Sequence, residues 1–70
     1  MPIVFAPLNT ELKVVKILSD EKTKKHLENL GITINSVVTV LSQSGGSTII
    51  IVKDTRLALD KNLATKILVA

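Results

Sequence analysis

Ser44-Gly45-Gly46-Ser47 lies between two β-branched runs, Val37 to Leu41 and Ile49 to Val52. Adjacent glycines supply the positive φ that both centres of a primed two-residue turn require, so the runs fold back on each other as an antiparallel hairpin. Strict pairing from that turn sets Gln43 opposite Thr48, Ser42 opposite Ile49, Leu41 opposite Ile50 and Val40 opposite Ile51. Alternation then places Val38, Val40, Ile49 and Ile51 on one face. The other face carries Val37, Leu41, Ile50 and Val52 and is equally apolar. One face builds a core. The other makes Leu41, Ile50 and Val52 a candidate partner surface, to be covered by the N-terminal segment, a second copy or another protein.

The remaining elements are short. Pro2 and Pro7 bracket Ile3-Val4-Phe5 and predict an extended lead-in, with Leu8 as the first core anchor and Asn9-Thr10 as a turn. Glu11 to Leu18 reads as a strand, and the spacing of Lys13 and Lys16 breaks alternation, which predicts a bulge near Val14-Val15. Ser19 or Asp20 can cap a helix running to about Leu30, with Glu21 reaching Lys25. Leu27 and Leu30 hold that helix to the sheet, and Gly31 stops it. Asn35-Ser36 turns the chain into the hairpin. Lys53-Asp54-Thr55 turns it again, Arg56 to Leu59 is a strand, and Asp60 caps one helical turn, Lys61 to Ala64. Thr65 to Val69 is the last strand. The expected fold is mostly β: one domain over residues 1–70, a small five-stranded sheet closing as a barrel, with one short α-helix after the first strand.

Composition removes several functions. There is no Cys, hence no disulfide, thiolate metal site or cysteine nucleophile. Phe5 is the single aromatic, whereas small barrels that read nucleic acid stack bases on several, so no specific nucleic-acid binding is expected. Lys22, Lys24 and Lys25 form the one cation cluster and read as a solvated helix face. No apolar run nears the roughly 20 residues needed to span a bilayer, and the start lacks a signal-peptide pattern, so the expected location is cytoplasmic, without membrane insertion. The net charge of +3 mildly favours acidic partners.

Site chemistry is sparse. His26 is the only histidine, and the positions a helical turn away are Lys22, Thr23, Asn29 and Leu30, none of them a good ligand for Fe²⁺. The six acids are scattered and suit helix starts and turns. Ser44-Gly45-Gly46-Ser47 lacks the lysine and helix of a phosphate loop. Arg56, the only arginine, has nothing beyond its existence to suggest a GTPase-activating role. The expectation is no catalytic residue, no cofactor and no metal site.

Leu27-x-x-Leu30-Gly31-Ile32, the turn at Asn35, Val38-x-Val40, and then Arg56-Leu57-Ala58-Leu59-Asp60, Ala64 and Ile67-Leu68-Val69 resemble the FeoA family of bacterial ferrous iron uptake. At Asn35 the family usually has Gly preceded by Pro, where this chain has Ile34-Asn35. The resemblance implies an SH3-like barrel with the helix inserted after the first strand. It also implies a non-enzymatic accessory role in transition-metal ion transport, through contact with a FeoB-type membrane transporter whose cytosolic part binds GTP. Two other readings stand beside it: a regulatory SH3-like module of the kind found at the C-termini of DtxR-like repressors, and a small nucleic-acid-binding barrel.

Overall fold

In the computed structural model, which describes residues 1–70, the order is a 3₁₀ turn (Ile3–Phe5), β1 (Glu11–Ile17), α1 (Glu21–Asn29), β2 (Val37–Ser44), β3 (Ser47–Val52), β4 (Thr55–Asp60), α2 (Lys61–Ala64) and β5 (Ile67–Val69). The strands form one antiparallel sheet in the order β4-β3-β2-β1-β5, with a helix between the first two, which is the SH3-like arrangement expected. Leu59 of β4 and Ile67 and Val69 of β5 share one buried cluster with Val38, Val40 and Ile50, so the sheet curls until its two ends face a common interior. No ladder joins β4 to β5; α2 spans the gap, so hydrogen bonds do not close the barrel as expected.

Two bulges shape the sheet. The first falls between Val14 and Lys16, where the lysine spacing predicts it, and lets Val14 and Ile17 both point inward. The second corrects the hairpin. Gly45 and Gly46 take φ of 59° and 82° and close Ser44 on Ser47, and Ser42 does pair with Ile49. Beyond that Leu41 is an extra residue, and the register resumes as Val40↔Ile50, Thr39↔Ile51 and Val38↔Val52. Val40 and Ser42 therefore lie on opposite faces. Ile50 (0% exposed) and Val52 (1%) belong to the core with Val38 and Val40, so they cannot form a partner surface.

The helix is built at both ends by local chemistry. Asp20 caps it, its carboxylate accepting from the Thr23 N–H at 2.8 Å. Hydrogen bonding to Thr23 holds the Asp20 carboxyl below its ordinary 3.8, because the charged form is the better acceptor. A carboxyl lowered in the folded state stabilises above its unfolded value and loses that contribution as pH falls through the folded one. Acid titration of helix content should show a decline below about pH 3.8 that is absent in Asp20→Ala. Glu21 meets Lys24 at 3.9 Å, one residue short of the expected Lys25, a surface pair of little energetic weight. At the other end Gly31 stands at φ 95°. Its N–H donates to the Glu28 carbonyl and the Ile32 N–H to the Leu27 carbonyl, both at 2.9 Å, and Leu27 and Ile32 are fully buried. That is the glycine-dependent stop with its apolar contact.

The N-terminal expectations need correction. Ile3–Phe5 form a 3₁₀ turn, with Phe5 N–H donating to the Pro2 carbonyl and Ala6 N–H to the Ile3 carbonyl, both at 3.0 Å. Pro2 precedes the turn and needs no donor there. The tight turn delivers Ile3 and Ala6 into the core, so Ile3 is the anchor, and Leu8 remains 51% exposed.

Lys53 and Asp54 close β3 on β4 with φ of 50° and 63°, left-handed conformations that Asn and Gly adopt more readily. The double substitution Lys53→Asn, Asp54→Gly should raise stability by about 0.5–1 kcal/mol, read as a higher denaturant midpoint with unchanged slope.

Candidate partner-contact surface

The Leu41 bulge decides which side chains the hairpin offers outward. Two cross-strand rows lie on the outer face: Thr39–Ile51–Arg56 and Ser42–Ile49–Ala58. Ile49 and Ile51 are half-buried, and Leu41 is half-buried beside them. Val37, paired with Lys13 at the next position of β2, is 45% exposed and extends the patch diagonally from Ile51. The result is an aliphatic face of Val37, Leu41, Ile49 and Ile51, edged by Lys13 and Arg56. Directional polar groups are few on it. Such a face can exclude water against another apolar surface, while its two cations favour an acidic rim on the partner.

Leu41 is the one member of the expected surface that stays on it. Ile49 and Ile51, expected in the core, replace Ile50 and Val52. The physical reason is one inserted residue, which reverses the pairing of faces for everything beyond it.

Other recesses offer less chemistry. A cleft of about 400 Å³ lies between Phe5, which is 75% exposed, and the hairpin tip, with Lys61 its only charged lining group. A second, of about 380 Å³, runs along α1 past Glu21, Lys24, Glu28 and Lys16. Both charge signs alternate there, so no net field draws a cation or an anion. No group of three or more His, Cys, Asp or Glu side chains comes together that could hold a metal ion. His26 is exposed near the end of α1, and Lys22 and Lys25 are exposed on the same helix. Across the chain there is no pairing of a nucleophile with a base; the side-chain hydrogen bonds are caps and turns, as with Thr33 and Ser36 at 2.9 Å, apart from Gln43 Nε2 donating to the Ile3 carbonyl at 3.5 Å.

A family model described as FeoA domain matches residues 1–70. No curated protein matches the chain. Among solved structures, a crystal structure of an iron uptake regulatory protein (FeoA) shares 30% identity over 100% of this chain and 93% of its own, with a TM-score of 0.88. The solution structure of a FeoA protein from Chlorobium tepidum shares 18% identity over 99% of this chain and 68% of its own, at a TM-score of 0.88. Iron(II) transport protein A from Clostridium thermocellum shares 13% identity over 99% of this chain and 44% of its own, at 0.90; these two likenesses are of fold.

Proposed function

Given that this chain belongs to the FeoA family, a family of small proteins associated with ferrous iron uptake, we propose that it serves that uptake as a non-enzymatic accessory domain, docking on the cytosolic part of a FeoB-type transporter. One observation carries the reading: β2 and β3 present a contiguous aliphatic outer face, Val37, Leu41, Ile49 and Ile51. Iron is then the cargo of the transporter, and this chain changes how the transporter handles it. No helix is long and apolar enough to cross a membrane; on this reading the contact is made from the cytoplasmic side, where the transporter's GTP-binding part lies. The structured β2–β3 ladder presents the patch pre-formed, which keeps the ordering cost of binding low.

The test is retention of the detergent-solubilised transporter on the immobilised chain, with and without a non-hydrolysable GTP analogue. Retention in at least one nucleotide state supports the reading. Passage of the transporter in both states overturns it.

A further inference from the structure

We infer that the outer edge of β4 is a self-association edge, at which two copies of this chain pair antiparallel about Ala58. The two ends of the sheet are finished differently. At β5 the chain's own start covers the edge: Pro2 bridges Leu68, the Met1 amino group donates to the Val69 carbonyl at 2.9 Å, and the Val69 N–H donates to the Met1 carbonyl at 2.7 Å. At the other end β4 is hydrogen-bonded to β3 alone, in a register unbroken from Ser47↔Asp60 to Val52↔Thr55. No backbone bond outside the strands and helices involves Arg56, Leu57, Ala58 or Leu59.

The direction of the free groups follows from the turn. A two-residue loop at Lys53-Asp54 makes Val52↔Thr55 the closing bonded pair, so by alternation Leu57 and Leu59 also bond towards β3. The N–H and C=O of Arg56 and Ala58 therefore point away from the sheet. Natural edges are usually blunted by proline, by a bulge or by brevity. β4 has no proline or bulge over its six residues, and its central edge residue is alanine.

A second copy is the occupant because the edge is complementary to itself. Arg56, Ala58 and Asp60 are all exposed on the outer face. Pairing Ala58 with Ala58 of the second copy sets each Arg56 opposite the other copy's Asp60, with the smallest side chain on the two-fold axis. Asp60 spends one carboxylate oxygen on the Leu63 N–H at 2.7 Å and keeps the other for the guanidinium. Other registers are poorer: centring on Leu57 brings Asp54 against Asp60, centring on Leu59 sets Arg56 opposite Asn62 and so loses both ion pairs, and centring on Arg56 or Asp60 sets like charges together. On the inner side the same register lays the half-buried Leu57 against Leu59 of the second copy. The pair is two-fold and consumes both edges, so it closes and does not grow into a fibre. It pairs the backbone edge of β4, whereas the transporter contact uses the side chains of β2 and β3; the two meet only at Arg56, on the rim of that face.

The test combines sedimentation with amide exchange on the full chain. Wild type should pass from monomer to dimer over roughly a hundredfold range of concentration, and the Arg56 and Ala58 amides should gain protection in step. Arg56→Glu opposes two carboxylates across the axis and should weaken the dimer by about tenfold or more. Ala58→Pro removes an edge N–H that makes no bond to β3 and should leave a folded monomer, its fold checked by a melting curve. A monomer at every concentration overturns the inference. So does a dimer in which the Arg56 and Ala58 amides exchange as fast as in the monomer, or one that Arg56→Glu leaves equally tight.

Discussion

Ile50→Lys should abolish folding, while Ile51→Lys, one residue away, should leave the domain folded. Ile50 is fully buried between Val40 on one side and Leu57 on the other. Its loss empties core volume worth about 2–5 kcal/mol. An unpaired ammonium in its place costs several more, since nothing around it can accept its hydrogen bonds. Against this, a domain of this size has about 4–10 kcal/mol to lose. Ile51 faces outward between Thr39 and Arg56, where a lysine stem can lie along the sheet with its head in water. Circular dichroism should show no cooperative melt for the first variant and a melt near wild type for the second. The reverse result would mean that Leu41 is not a bulge.

The second large effect belongs to Gly31. A Cβ at this position would meet nothing closer than Lys53 Cδ at 3.6 Å, so space is not the difficulty. The difficulty is φ at 95°, which a β-branched residue takes only at considerable cost. Gly31→Val must bear that strain or surrender the two 2.9 Å bonds that end α1, and with them the packing of Ile32 on Leu27. The expected loss is about 2–4 kcal/mol, a fall in melting temperature of roughly 10–30 °C. Gly31→Asn, which tolerates positive φ, should lose much less. Equal losses for both would show that side-chain bulk, not backbone, sets the cost.

Much of the fold was legible because it rests on local chemistry. Asp20 and Asp60 cap as their side chains dictate, Gly31 stops α1, and the two glycines close the hairpin. The Lys13–Lys16 spacing announced the bulge in β1. The outer face was misread because a β-branched run with Leu41 in its middle gives no local sign of an inserted residue. A longer-range sign exists. The turn at Lys53-Asp54 pairs Ile50 with Leu57, and β4 alternates Leu57 and Leu59 with Arg56 and Ala58, so Ile50 must face inward. The glycine turn, counted strictly, puts Ile50 on the opposite face from Val40. Both hairpins are satisfied only if β2 holds one extra residue. The tight turn at Ile3–Phe5 carried no such sign, since prolines flank extended chain and short turns alike.

The proposed role requires the outer face to be the contact with the transporter. The most direct measurement is a calorimetric titration of the cytosolic part of a FeoB-type transporter into wild type, into Ile51→Lys, and into a variant with Lys22, Lys24 and Lys25 all changed to Ala. Ile51→Lys should stay folded and lose about tenfold or more in affinity, because a charge then sits in the dry centre of the contact. The helix variant should remain within about twofold of wild type, as side chains outside a contact do. A folded Ile51→Lys that binds as tightly as wild type would contradict the claim, and the more so if the helix variant fails to bind.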